Sequence, residues 1–92
     1  MRTRYLVCYD IANEARLTRV YRYLKDLGIH VQYSVFLCSF TWPELQEVVS
    51  RITDVIDAKA DDVRIYPLPA GDAIVTLGCG DRAPRDTLVV LP

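Results

Sequence analysis

The spacing of apolar residues along this chain changes period several times, and each change predicts an element. Tyr5-Leu6-Val7-Cys8-Tyr9 is apolar on both faces and rich in β-formers, which predicts a central strand ending at Asp10. Leu17, Val20, Tyr21, Leu24 and Leu27 then recur at helical spacing. Asn13 is placed to cap that helix, Glu14 favours its first turn, and Gly28 is placed to end it. From His30 to Phe40 the chain is β-rich and alternates only in part, so one kinked strand and a tight hairpin of two strands both fit. Thr41-Trp42-Pro43-Glu44 reads as a capping box with proline in the first helical turn, where its missing N–H costs nothing. Leu45, Val48, Val49, Ile52, Val55 and Ile56 form one apolar stripe, the second helix.

A polar connection over 57–62 leads to a strand at Val63–Leu68, where Pro67 points to a sheet edge or a strand end. Ala70-Gly71-Asp72 reads as a turn into Ala73–Leu77, which predicts a hairpin. A bend rich in Gly, Pro and Arg follows, then a last apolar run at Thr87–Leu91. The order β-α-β(β)-α-β-β with a terminal strand suits an α+β ferredoxin-like sandwich, two helices on one face of an antiparallel sheet. The expectation is a single domain over 1–92, with a core over about 1–79 and a C-terminal loop and strand over 80–92. An apolar strand on a Gly/Pro loop needs a sheet edge to pair with, and the edge of a second copy would serve, so a homodimer with an exchanged C-terminal strand is expected.

Composition narrows the function classes. Eleven Lys+Arg against twelve Asp+Glu give a net charge of −1, so a strongly basic nucleic-acid binder is not the first reading. The charge is nevertheless polarised. Arg2, Arg4, Arg16, Arg19, Arg22, Lys25, Arg82 and Arg85 lie at the termini, on helix one and in the last loop, whereas Glu44, Glu47, Asp54, Asp57, Asp61 and Asp62 lie on or after helix two. No run approaches the roughly 20 apolar residues of a membrane span, and the start of the chain reads as a strand rather than a signal peptide, so a cytoplasmic protein with no membrane partner is expected. Cys8, Cys38 and Cys79 are far apart in apolar runs, and His30 is the only histidine; zinc-ligand spacing is absent.

Asp10 is the first candidate for chemistry, a lone carboxylate at the end of an apolar strand just before a helix. It can be a metal ligand or general base, or simply an Asp that turns the backbone. Alone it is too little for Mg²⁺, but two copies meeting near this strand end could share one ion and turn it on a phosphodiester. Arg16, Arg19, Arg22 and Lys25 recur every third position and could meet phosphates, or be a solvated helix face. Ser34 could bond a phosphate or Asp10, or satisfy local backbone. Tyr9, Tyr21, Tyr23, Tyr33 and Phe36 could stack bases, although aromatic residues in a small sheet are mostly core. Phosphate-cradling glycine loops and Ser-His-Asp or Cys-His arrangements are not in the sequence.

Tyr9-Asp10-Ile11, an Arg-bearing first helix closing with Leu27-Gly28, then Gln32-Tyr33-Ser34-Val35-Phe36 and Val63-Arg64-Ile65-Tyr66 together resemble the CRISPR-associated protein two (Cas-two) family over nearly the whole chain. The Gln32–Phe36 string is the most specific part. The resemblance implies a ferredoxin-like homodimer whose C-terminal strand crosses to its partner, with Asp10 of each chain holding Mg²⁺, or Mn²⁺, at the dimer axis. It implies a metal-dependent endonuclease acting on RNA or DNA, and a central dimer that works with the CRISPR-associated protein one integrase to insert new spacers. It also places Arg16, Arg19 and Phe36 at or near positions tied to activity, and Arg22 and Ser34 join them as expected nucleic-acid contacts. Two departures stand out: His30 where many members carry Arg, and Leu37 where many carry an acid. Alternatives from other classes are a non-catalytic DNA-binding scaffold, a toxin-like endoribonuclease of related fold, and a small-molecule regulatory domain, the last disfavoured because no glycine-rich loop follows the first strand.

Overall fold

The computed structural model describes residues 1–71 and, for their backbone, 74–77 and 88–91. The elements run β1 (Thr3–Asp10), α1 (Glu14–Lys25), β2 (Gly28–Gln32), β3 (Val35–Phe40), α2 (Trp42–Val55), β4 (Asp62–Leu68), β5 (Ile74–Leu77) and β6 (Leu88–Leu91). The first sheet has the order β2-β3-β1-β4 and all its pairs are antiparallel. With two helices packed on one face, this is the expected ferredoxin-like α+β sandwich. No helix among the described residues is long and apolar enough to cross a membrane.

Both helix starts form as their residues dictate. The Asn13 side chain accepts from the Arg16 N–H at 3.0 Å. Thr41 and Glu44 close the capping box, with Glu44 Oε1 accepting from the Thr41 N–H at 2.8 Å and Thr41 Oγ1 from the Glu44 N–H at 3.3 Å. The segment from His30 to Phe40 resolves as a hairpin. Tyr33 and Ser34 make its two-residue turn, Ser34 takes a positive φ of 67°, and a register shift falls between His30 and Gln32.

Gly28 does not cap α1, contrary to the sequence expectation; Asp26 does. Gly28 opens β2, where a Cβ would lie 2.5 Å from Cys38 Sγ and 2.6 Å from the Leu37 carbonyl oxygen. It is a close-approach glycine rather than a turn glycine.

The expected β4–β5 hairpin is also replaced. β4 pairs with β1, and β5 pairs in parallel with β6 in a separate two-stranded sheet. The local turn signal at Gly71 loses to one non-local pairing: the apolar run of β6 takes β5, and the outer edge of β4 is left unpaired in the main sheet. β4 is thus an edge of the main sheet, as Pro67 predicts. The bend expected over 78–87, with Cys79, Arg82 and Arg85, lies outside the described residues.

Period-two alternation divides the main sheet. Val7 and Tyr9 of β1 and Phe36, Cys38 and Phe40 of β3 join Val20, Leu24, Val48 and Ile52 of the helices in the core. Burial pushes the Cys38 thiol up to about 11, so it stays a neutral, apolar-packed group. Phe36, Leu24, Val7 and Val20 are the largest fully buried side chains. Burying each such side chain is worth about 1.5–3 kcal/mol, whereas exposed ion pairs such as Arg2–Glu44 are screened by water, so the core decides stability. On the helix-free face a second cluster forms from Val31 and Leu37 with Leu6, Val35 and Leu68. Gly28→Ala is expected to lower unfolding free energy by about 1–3 kcal/mol in urea titrations, because the backbone oxygen of Leu37 cannot give way; a variant as stable as the parent would show that β2 can move off β3.

Candidate nucleic-acid site at the end of β1

The end of β1 is held from three sides. β1 hands on to α1 through Ile11–Asn13, α2 hands on to β4 through Asp57–Asp61, and the Tyr33–Ser34 turn closes over the strand end. The Tyr9 N–H donates to the Ser34 carbonyl oxygen at 3.1 Å, so the hairpin turn is pinned beside Asp10.

The strongest polar anchor is Asp61. Its carboxylate accepts from Arg16 Nε at 2.8 Å and Nη2 at 3.1 Å, from the Ala12 N–H at 2.9 Å and from the Asp57 N–H at 2.8 Å. The Asp61 side chain has no exposed surface and Arg16 only 26%. The Arg16 fork and the two backbone donors hold the Asp61 carboxyl well below the usual carboxylate range, against the opposing effect of desolvation. One aspartate therefore ties the β1–α1 loop to the α2–β4 loop, directly behind the strand end.

In front of this anchor, Asp10 is exposed at the tip of β1. Asp62, first residue of β4, is its Cα partner across the ladder. Asp10, Asp62, Arg64, Cys8, Val35 and Ser34 line one open cleft of about 210 Å³. Two carboxylates opposite one another repel. Arg64 Nε reduces this by donating to Asp62 Oδ2 at 3.0 Å, with both side chains largely exposed. The described residues contain no group of three or more His, Cys, Asp or Glu able to hold a metal. Asp10 and Asp62 do suit an ion that takes one or two carboxylates and completes its shell with water and phosphate oxygens, which is the habit of Mg²⁺.

The other expected site residues separate. Arg16 is engaged by Asp61, so its fork is turned to the fold rather than to a phosphate. Arg19 and Arg22 are exposed and line a groove of about 410 Å³ between the helices with Arg51, not the Asp10 cleft. Phe36 has no exposed surface; its ring packs with Tyr9, Tyr21 and His30 at centroid distances of 6.3, 5.7 and 4.9 Å. The expected contact of Phe36 with nucleic acid is therefore corrected: it lies beneath the surface and positions other rings. Ser34 lines the cleft, but what it gives the structure is its carbonyl.

The sequence model of the family described as CRISPR associated protein Cas2 matches residues 1–73. The chain belongs to the Cas2 family. A protein of Thermodesulfovibrio yellowstonii named CRISPR-associated endoribonuclease Cas2 2 is 55% identical over 84 residues, spanning 91% of this chain and 92% of its own length. The crystal structure of Streptococcus pyogenes Cas2 at pH 6.5 matches with a TM-score of 0.69 and 38% identity, over 74% of this chain and 88% of its own. A second Cas2 crystal structure matches with a TM-score of 0.77 and 28% identity, over 91% and 94% of the two chains.

Within this Cas2-family fold, Asp61 and Asp62 are parts of the site that the sequence shows only as acids of a polar connection after helix two. The only signal was an Asp pair immediately before the β-run of Val63–Tyr66. Tyr33, one of the aromatic residues expected mostly in the core, is 78% exposed on the hairpin turn.

Because its folded pKa is depressed, Asp61 contributes stability that is fully present above the ordinary carboxylate value near pH 4 and is lost as pH falls from there toward the lowered folded value. Asp61→Asn is expected to lower the melting temperature at pH 7 and to flatten its decline between about pH 4 and pH 2. Thermal melts across that range check this, and a variant with the parent's acid slope would remove Asp61 as the anchor.

Proposed function

We propose that this Cas2-family chain is a divalent-metal-dependent endonuclease, working as a homodimer on RNA or DNA at Asp10, and that the dimer supports insertion of new CRISPR spacers together with the CRISPR-associated protein one integrase. The observation that carries the reading is the position of Asp10: exposed, on the helix-free face, opposite a second carboxylate in an open cleft. The name of the Thermodesulfovibrio relative, an endoribonuclease, agrees with this chemistry.

Asp10 and Asp62 would hold the ion, with Mg²⁺ preferred and Mn²⁺ an acceptable substitute. When bound there, the ion supplies positive charge to phosphodiester oxygens and lowers the pKa of a water. The chain's own part is positional. The Arg16–Asp61 pair fixes the two loops behind the cleft, Arg64 orients Asp62, and the Ser34 carbonyl holds the end of β1. Each chain brings few carboxylates, which supports a second copy completing the site. The helix-free face bears the apolar cluster of Leu6, Val31, Val35, Leu37 and Leu68, and Asp10 shares that face, so two such faces apposed about a two-fold axis near the end of β1 would bring the two Asp10 tips together. The outer edge of β4 is unpaired within the main sheet and would accept a strand from the partner.

A second reading, a DNA-binding scaffold without chemistry, is favoured by one observation. Arg19, Arg22 and Arg51 form a basic groove that does not include Asp10. The two readings separate by substitution. Asp10→Asn is expected to lower Mg²⁺-dependent cleavage of short RNA and DNA by about 10²-fold or more while the protein still sediments as a dimer; cleavage at the parent's rate would leave only the scaffold reading. Reversing Arg19 and Arg22 to Glu is expected to weaken duplex binding and to reduce its log–log salt slope by about 1 per residue. Filter binding at several salt concentrations measures this, and an unchanged slope would make these arginines a solvated helix face.

A further inference from the structure

A second cavity lies beside the Asp10 cleft, between α1 and the β2–β3 hairpin. It measures about 190 Å³ and is walled by Tyr9, Leu17, Tyr21, His30 and Tyr33. The rings hold one another in place: His30 stacks on Phe36 at 4.9 Å and meets the edge of Tyr21 at 5.5 Å. Tyr33 stands at the rim, 78% exposed on a two-residue turn, where its ring is free to cover a ligand.

Tyr9 supplies the second observation. The residue is only 6% exposed and lines the cavity, yet its hydroxyl makes no hydrogen bond among the described residues. A buried side-chain hydroxyl ordinarily finds a hydrogen-bond partner. The phenol is able to donate one hydrogen bond to an acceptor placed in the cavity.

We propose that this aromatic cavity receives one unpaired nucleobase of the nucleic-acid strand whose phosphodiester lies at Asp10. The ligand must be flat and apolar on its faces and must carry an acceptor on its edge, which describes a nucleobase. The volume is below the roughly 300–1,000 Å³ of sites for larger ligands, so a single base fits rather than a stacked pair. A base within a duplex is covered by its neighbours, so the occupant is unpaired or extruded. Tyr9 and Ser34 line both this cavity and the Asp10 cleft, which makes the two cavities adjoining stations on one strand. This inference rests on the reading of the chain as a nuclease and adds a base-binding subsite to it.

The test uses the full chain, without divalent metal, and a single-stranded oligoribonucleotide carrying one 2-aminopurine, whose emission falls when the base stacks on an aromatic ring. The parent is expected to quench the emission. Tyr33→Ala should lose the quenching and bind about tenfold more weakly, while Tyr33→Phe keeps both. Tyr33 is exposed, so circular dichroism should be unchanged in both variants. Binding with undiminished quenching by Tyr33→Ala, or loss of quenching in Tyr33→Phe, would overturn the base subsite and leave the nuclease reading standing. A parent protein that binds the oligonucleotide without quenching it would likewise overturn the subsite alone, whereas one that binds no oligonucleotide either without metal or with Mg²⁺ (the latter tested with Asp10→Asn to prevent cleavage) would overturn the nuclease reading, and the subsite with it.

Discussion

The structure depends on β1 being apolar on both faces and lying between β3 and β4. A strand with neighbours on both sides and apolar residues above and below must be covered twice. On one side the two helices do this, and Val7 and Tyr9 enter the main core. On the other side Leu6 joins Val31, Val35, Leu37 and Leu68, and no helix covers them. The same alternation carries Asp10 and Asp62 to the helix-free side at the end of the β1–β4 ladder. Packing and chemistry are thereby separated by the pleat of one strand.

The polar groups near the site divide the work according to burial. Arg16 and Asp61 are withdrawn from water and make a bidentate pair with two backbone donors added, which fixes loops but leaves little charge for a ligand. Asp10, Asp62 and Arg64 are exposed and loosely held, so they remain available to an ion and to phosphate. Arg19, Arg22 and Arg51 gather instead in a groove on the helix side. The protein carries a net charge of only −1, yet it presents an acidic cleft and a basic groove at separate places.

Much of the fold was legible in the residues because the signals are local. The Thr41–Glu44 capping box, the Asn13 cap and the apolar stripe of α2 each act within a few residues of chain, and each forms as expected. Pro67 marked an edge strand for a local reason as well. What the residues concealed is non-local. Gly28 resembles a helix terminator until β3 is laid against it. The turn before β5 resembles a hairpin until β6 competes for the strand. In the site, Asp10 was legible from its place at a strand end, whereas the roles of Asp61 and Asp62 depend on partners 45 to 52 positions away in sequence. Phe36 shows the converse: its identity suggested a contact with ligand, and only the packing of three rings around it reveals a buried support.

The account turns on two copies meeting through their helix-free faces, and the most direct measurement is a crystal structure of the protein grown with Mg²⁺. The account predicts a two-fold dimer with these faces apposed, both Asp10 carboxylates turned to the axis and close enough to share one hydrated ion. Subunits that stay apart, or a dimer whose Asp10 tips point away from each other, would contradict it.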